Sequence, residues 1–218
     1  MTHEPLGPLL VCFGDSLTAG YVVGRPGGIP GPDQPYGKCL QKWLGQKGKV
    51  AITGICGELT EDMTKRFLRD VVLLSPKFVV ILGGTNDLGW GLEPVIIHQH
   101  LVAMYQQAKD AGIQPVAVTV PSLCDPSPEI DGLPEPESIP SWIQTHIDQR
   151  LVLNTMIQES SAHLTIPCVD LFKGTAVEPF QLLGSHFSCD GLHFNQAGYQ
   201  HFAELVWQEI FAAQYSRE

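Results

Sequence analysis

Five short apolar runs recur along the chain and are separated by longer segments with helical periodicity. The runs cover residues 9–13, 50–53, 78–82, 116–120 and 166–171. The first and third are apolar at every position, which is typical of strands buried on both faces of a parallel sheet. Pro167 lies in the fifth run and indicates an edge strand, because proline cannot donate a hydrogen bond to a neighbouring strand.

The segments between and after these runs predict five helices. They cover residues 36–45, 60–74, 94–111, 141–162 and 195–213. In the second helix Met63, Phe67, Val71 and Leu74 recur at intervals of three or four residues, which predicts one buried face. A Ser-x-x-Gln capping box predicts that the side chain of Ser141 caps the amino terminus of the fourth helix. Strands that alternate with helices predict a three-layer α/β/α sandwich with a mostly parallel five-stranded sheet, of the flavodoxin-like kind.

A residue with a candidate chemical role follows each of the first three predicted strands. Ser16 comes two residues after Gly14, which ends the first run, and Gly57 and Asn86 follow the second and third runs. The carboxyl ends of parallel strands share one edge of the sheet, and ligands bind at this edge in open α/β sheets. We therefore expect these three residues to converge on one site.

His193 is the candidate base for Ser16. A serine hydroxyl is a weak nucleophile until a base removes its proton, and imidazole suits that transfer near neutral pH. Asp190 lies three residues earlier with Gly191 between them, so a tight turn allows its carboxylate to orient the imidazole. The backbone N–H groups of Ser16 and Gly57 and the side-chain amide of Asn86 are the candidate donors to an oxyanion.

Two acidic residues and two histidines near these positions are interpreted as structural. Asp15 is expected to accept hydrogen bonds from loop amides, and Asp87 to support the turn around its neighbour. His98 and His100 form a His-x-His pair inside a predicted helix, where residues two apart point in different directions. No metal site is predicted from them.

Taken together, four stretches resemble the four sequence blocks of the SGNH hydrolase superfamily, also called GDSL esterases and lipases. They are Gly-Asp-Ser-Leu at 14–17, the glycine at 57, Gly-x-Asn-Asp at 84–87 and Asp-x-x-His at 190–193. The resemblance covers residues 9 to about 200 and implies an α/β/α fold, ester hydrolysis through an acyl-enzyme, and no metal or other cofactor. The second block departs from the family pattern at Cys56, Glu58 and Leu59, which bears on the choice of substrate.

The composition fits one domain over residues 1–218 and narrows the possible partners. Apolar residues make up 44% of the chain and charged residues 17%, which is typical of a globular protein. The net charge of −10 argues against nucleic acid and anionic membranes as partners. No signal peptide or membrane-spanning run is recognised, and the scattered cysteines favour reduced thiols, so the predicted location is the cytoplasm.

Residues 121–140 contain six prolines and five acidic residues, and they break the alternation of strands and helices. Such a segment forms neither a helix nor an inner strand. The candidate nucleophile precedes it and the candidate base follows it, so we expect a loop insertion near the active-site edge rather than a linker between domains. The glycine- and proline-rich residues 24–32 are expected at the same edge, either as a plain connector or as a loop that contacts substrate.

The predicted function is a serine esterase acting on small or short-acyl esters. Its alternatives on the same site are an acyltransferase, a carbohydrate O-acetyl esterase, and a non-catalytic module that binds a small ligand. A nucleotide-binding domain is disfavoured, because neither G-x-G-x-x-G after the first strand nor a P-loop motif occurs. The G-x-S-x-G nucleophile elbow of the α/β-hydrolases is also missing from the sequence.

Overall fold

A computed structural model describes residues 7–23, 35–125 and 139–213. Its central sheet has five strands: β1 (Leu10–Gly14), β2 (Val50–Gly54), β3 (Phe78–Leu82), β4 (Gln114–Val118) and β5 (Cys168–Val169). The strand order is β2-β1-β3-β4-β5, and every neighbouring pair is parallel. This confirms the predicted parallel sheet and the edge position of the strand after Pro167.

Eight helices and a small hairpin complete the described fold. The helices are α1 (Ser16–Ala19), α2 (Tyr36–Leu44), α3 (Thr60–Asp70), α4 (Thr85–Gly89), α5 (Pro94–Asp110), α6 (Ser141–Leu164), α7 (Leu171–Thr175) and α8 (Gln196–Ile210). The hairpin pairs β6 (Ala176–Val177) with β7 (Leu182–Leu183) in antiparallel fashion. Three of the helices, α1, α4 and α7, have only four or five residues and were not predicted.

Alternate residues of each strand enter different hydrophobic clusters on the two faces of the sheet. On one face Leu10 and Cys12 pack with residues of α2 and α8. On the other face Val11 and Phe13 pack with residues of α3, α5 and α6. Both faces of the sheet are covered by helices, which agrees with the fully buried runs of β1 and β3. The three-layer α/β/α prediction is confirmed.

The ends of several elements differ from the predictions for local reasons. Helix α3 stops at Asp70, and the chain tightens into a 3₁₀ turn over Val72–Leu74. Ser75 then takes a left-handed conformation, with φ of 48°, and its N–H donates to the Val72 carbonyl at 3.0 Å, which closes the turn. Leu74 is consequently 37% exposed rather than buried.

The predicted capping box at the start of α6 is wrong. Pro140, not Ser141, occupies the capping position, and no side chain caps the helix. Strand β4 is also shifted toward the amino terminus, over 114–118 instead of 116–120. It ends early because the backbone N–H of Val120 donates to the Asn154 side chain of α6 at 2.7 Å instead of to a neighbouring strand.

Most of the proline-rich segment and the loop at 24–32 lie outside the described residues, so their predicted places at the site edge stay predictions. The single domain over 1–218 and the cytoplasmic location also stay predictions. All six cysteines are described, and no two of them form a disulfide. Within the described ranges, no helix is both long enough and apolar enough to cross a membrane.

Candidate active site

Ser16 lies at the carboxyl end of β1, where the strand turns directly into the short helix α1. Gly14 permits this turn, because a Cβ atom there would lie 2.3 Å from the carbonyl oxygen of Leu82 and 2.4 Å from the hydroxyl of Thr18. Asp15 caps α1 and Ser16 is its first residue. The sheet order changes direction between β1 and β3, so Ser16 follows a strand that borders the topological switch point.

His193 and Asp190 lie next to Ser16 in space although 177 positions separate the serine from the histidine. The Ser16 Oγ atom is 3.2 Å from His193 Nε2, and His193 Nδ1 is 2.7 Å from Asp190 Oδ2. Ser16 is buried, whereas the His193 and Asp190 side chains are about one-fifth exposed. A hydroxyl, an imidazole and a carboxylate in this order can transfer a proton away from an attacking serine.

The Asp190 carboxylate has a separate task for each oxygen. Its Oδ1 atom accepts the backbone N–H groups of Leu192 at 3.0 Å and His193 at 2.7 Å, which leaves Oδ2 for the imidazole. Gly191 makes this tight turn possible with φ of 80°. Burial alone raises the pKa of the Asp190 carboxyl, but the hydrogen bonds from the His193 ring and from the two N–H groups outweigh burial and lower the pKa to about 2. Asp190 is therefore an anion at neutral pH.

The loop that carries His193 is held by residues that the sequence analysis did not identify. Ser188 donates its hydroxyl to the His193 carbonyl at 2.7 Å and accepts the Gly191 N–H at 3.0 Å. The backbone N–H of Cys124 donates to the Gly191 carbonyl at 2.9 Å. The Tyr21 ring packs on the imidazole, with 4.5 Å between the ring centroids. The histidine is thus fixed from three sides before any substrate binds.

Gly57 and Asn86 are brought to the same sheet edge as Ser16. The backbone N–H of Ile55 donates to the carbonyl of Gly14 at 2.9 Å, which joins the loop after β2 to the end of β1. Gly57 in this loop is exposed and has φ of 76°, and a Cβ atom there would meet nothing within 4 Å. Asn86 donates one amide hydrogen to the Glu58 carbonyl at 2.9 Å, which leaves its second amide hydrogen for another acceptor.

Asp87 ties the Asn86 turn to the start of α3, as the sequence analysis expected. Its carboxylate accepts the Thr60 backbone N–H at 3.0 Å and the Thr60 hydroxyl at 2.5 Å. The Thr60 hydroxyl also lies 3.0 Å from His100 Nδ1. His100 is therefore engaged in this network, and no cluster of three or more metal-binding side chains occurs in the described parts of the chain.

Asp15 is fully buried beside the nucleophile. Its Oδ1 atom accepts the Leu17 N–H at 2.9 Å, whereas its Oδ2 atom has no hydrogen-bond partner among the described residues. The pKa of this carboxyl is raised to about 7, chiefly by burial and also by the nearby Asp87 and Glu58 carboxylates. The Leu17 N–H and His193 lower the pKa but do not offset burial. The structural role expected for Asp15 agrees with its position as the cap of α1.

Comparisons with known proteins identify a family and several proteins of similar fold. The model of the GDSL-like lipase/acylhydrolase family matches residues 12–201. A GDSL-like lipase from Bacteroides thetaiotaomicron is 22% identical, with a TM-score of 0.72, over 94% of this chain and 88% of that chain. A lipase/acylhydrolase from Enterococcus faecalis is 29% identical, with a TM-score of 0.67, over 92% of this chain and 94% of that chain.

A curated relative is an uncharacterized lipoprotein, YqeF, from Bacillus subtilis. It is 32% identical over an alignment 123 positions long, and the alignment covers 50% of this chain and 47% of the relative. The chain thus spans about half the length of that relative. The family match extends over most of the chain and includes the positions of all four sequence blocks. The chain belongs to the GDSL-like lipase/acylhydrolase family.

Proposed function

We propose that this chain hydrolyses small or short-acyl carboxylic esters through an acyl-serine intermediate on Ser16. The observation that carries the proposal is the hydrogen-bonded series from Ser16 through His193 to Asp190, with distances of 3.2 and 2.7 Å.

In the first half of the reaction, Ser16 Oγ attacks the ester carbonyl carbon while its proton passes to His193 Nε2. The carbonyl oxygen becomes an oxyanion, which accepts hydrogen bonds from the N–H groups of Ser16 and Gly57 and from the Asn86 amide. The intermediate then collapses, the bond to the alkoxy oxygen breaks, and the alcohol leaves with the proton from His193. Asp190 holds the imidazole orientation and stabilises its charged form.

In the second half, His193 removes a proton from a water molecule that attacks the acyl carbon. A second tetrahedral intermediate forms and collapses, the acid leaves, and the proton returns to Ser16. An alcohol in place of that water gives acyl transfer. The ratio of acid to new ester in the presence of added alcohol therefore distinguishes hydrolysis from the acyltransferase alternative.

The test uses p-nitrophenyl esters from acetate to octanoate, and labelling by an organophosphate. We expect wild-type turnover to be highest for the shortest acyl groups and to be lost in Ser16→Ala. We also expect the organophosphate to label the wild-type protein at Ser16, to leave Ser16→Ala unlabelled, and to label His193→Ala much more slowly. Ser141→Ala, which changes an exposed serine at the start of α6, is the matched control and should behave like the wild type. Turnover and labelling that persist in Ser16→Ala would refute the proposal.

A further inference from the structure

Arg66 of α3 connects the ends of two strands from beneath the active-site edge. Its side chain is 8% exposed, and the guanidinium carbon lies 4.1 Å from the centroid of the Phe13 ring. One terminal nitrogen donates to the Thr53 carbonyl at 2.8 Å, and the other donates to the Gly14 carbonyl at 3.1 Å. Thr53 is the next-to-last residue of β2, and Gly14 is the last residue of β1. Arg66 therefore fixes where both loops leave the sheet.

The same guanidinium binds Glu58, the residue after Gly57. The Arg66 Nε atom is 2.7 Å from Glu58 Oε1, and Nη2 is 2.5 Å from Glu58 Oε2, with the Glu58 side chain only 7% exposed. Nη1 makes a further bond to Asp70 at 3.0 Å. An arginine has five N–H donors in a planar fork, and here each of the five has an acceptor. Lysine cannot reproduce this set, because its three donors radiate from one nitrogen.

Glu58 also contacts the third block of the site through its main chain. Its carbonyl oxygen accepts the Asn86 amide at 2.9 Å. Glu58 therefore lies between two candidate oxyanion donors: Gly57 precedes it in the chain, and Asn86 binds its carbonyl. Its side chain is in turn held by Arg66.

We propose that Arg66 and Glu58 are positioning residues that hold the Gly57 N–H and the Asn86 amide in the geometry required by the oxyanion. This inference rests on the proposed function, since it assumes that these two donors stabilise the oxyanion. The two side chains are only 8% and 7% exposed, so they are placed to act on the oxyanion donors and not on the substrate itself. They act by preorganisation: donors that are already aimed need no rearrangement in the transition state, and a misplacement of about 1 Å costs about 10²-fold in rate.

The main variant removes both charges, Glu58→Gln together with Arg66→Met, because a single removal leaves a buried charge without a partner. Lys65→Met is the matched control: Lys65 is the preceding residue on the same helix, and it pairs with Glu61 and Asp62 in solvent. Each protein is assayed for kcat and KM on p-nitrophenyl acetate, and for the ratio of rates on an ester and on the corresponding thionoester. Sulfur accepts hydrogen bonds weakly, so this ratio reports on the oxyanion donors.

We expect the double variant to fold, with kcat lowered about 10²-fold at nearly unchanged KM and with a smaller preference for the ester over the thionoester. Lys65→Met should retain the wild-type kcat and ratio. Arg66→Lys keeps the charge but not the fork, and should also lose part of the ester preference. If the double variant does not fold, Arg66→Lys provides the same test.

A folded Glu58→Gln/Arg66→Met or Arg66→Lys variant with the wild-type kcat and ester preference would overturn the inference. A loss of stability without any change in kcat or ester preference would overturn it as well. Ser16→Ala is assayed in parallel to separate the two levels of the argument. If Ser16→Ala stays active, the proposed function fails. If Ser16→Ala is inactive while the Arg66 and Glu58 variants behave like the wild type, only the positioning role fails.

Discussion

The buried Asp15 carboxyl is expected to lower the stability of the folded protein as the pH rises, whereas a typical acidic residue contributes stability at higher pH. We consider Asp15→Asn, which replaces the titrating oxygen and keeps the cap of α1. Asparagine is about as good a helix cap as aspartate, and its side-chain oxygen can still accept the Leu17 N–H. The variant therefore removes the carboxyl proton equilibrium and leaves the local backbone as it is.

The magnitude follows from the pKa of the Asp15 carboxyl, which burial raises from 3.8 to about 7. Between these two values the folded protein keeps the Asp15 proton while the unfolded chain has released it. Unfolding then releases a proton, so the free energy of unfolding falls as the pH rises through this window. The raised pKa of Asp15 lowers the free energy of unfolding by about 4 kcal/mol in total. This loss is complete above about pH 7 and absent below about pH 4.

The assay is urea-induced unfolding of the wild type and Asp15→Asn, followed by tryptophan fluorescence from about pH 4 to about pH 8. All other titrating groups are common to both proteins, so their contributions largely cancel in the difference between the two free energies. We expect the variant to gain stability relative to the wild type as the pH rises, by up to about 4 kcal/mol. Asp110→Asn changes an exposed carboxylate and should show no such trend. A difference that is constant across this range would refute the reasoning.

Three further substitutions test the candidate site. Asn86→Ala removes one oxyanion donor and should lower kcat by about 10²–10³-fold, measured under saturating p-nitrophenyl acetate; an unchanged kcat would remove Asn86 from the proposed mechanism. Asp190→Asn deprives the His193 ring of its anionic acceptor and should lower kcat by about 10⁴-fold at neutral pH with little change in KM, and a loss confined to KM would contradict the orienting role. The Cβ atom of Gly57→Ala would contact no other atom, so the substitution should lower the free energy of unfolding only through the strained positive φ. We expect a loss of about 1–2 kcal/mol in urea unfolding, and a much larger loss would mean that this loop packs differently.

The sheet and the main site residues could be predicted because each leaves a local mark in the sequence. Strands buried on both faces, such as Phe78–Leu82, read as unbroken apolar runs, and the parallel arrangement brings the residues after them to one edge. Ser16, Gly57 and Asn86 were located in this way. His193 and Asp190 needed the additional chemical argument that a serine requires a base and that the base requires a carboxylate.

The supporting residues could not be predicted, because their partners are distant main-chain groups. Arg66 donates to carbonyls at the ends of β1 and β2, and these acceptors are set by the tertiary fold rather than by local sequence. One signal was nevertheless present: Arg66 falls at helical spacing from Met63 and next to Phe67, on the buried face of α3. A charged residue on such a face needs partners inside the protein. Tyr199 donates its hydroxyl to the Tyr21 carbonyl at 2.8 Å, beside the nucleophile. No comparable pattern in the sequence indicates this contact.

The separation of 177 positions between the Ser16 hydroxyl and the His193 imidazole also determines when a growing chain can carry out the proposed reaction. Contacts between such remote positions form late, because a long loop must close before they stabilise the fold. A nascent chain on the ribosome therefore carries the Ser16 nucleophile before the His193 base that activates it has been synthesised. The proposed esterase activity should appear only after His193 has left the exit tunnel and α8 has packed against the sheet. A chain that is terminated before His193 should therefore have no esterase activity.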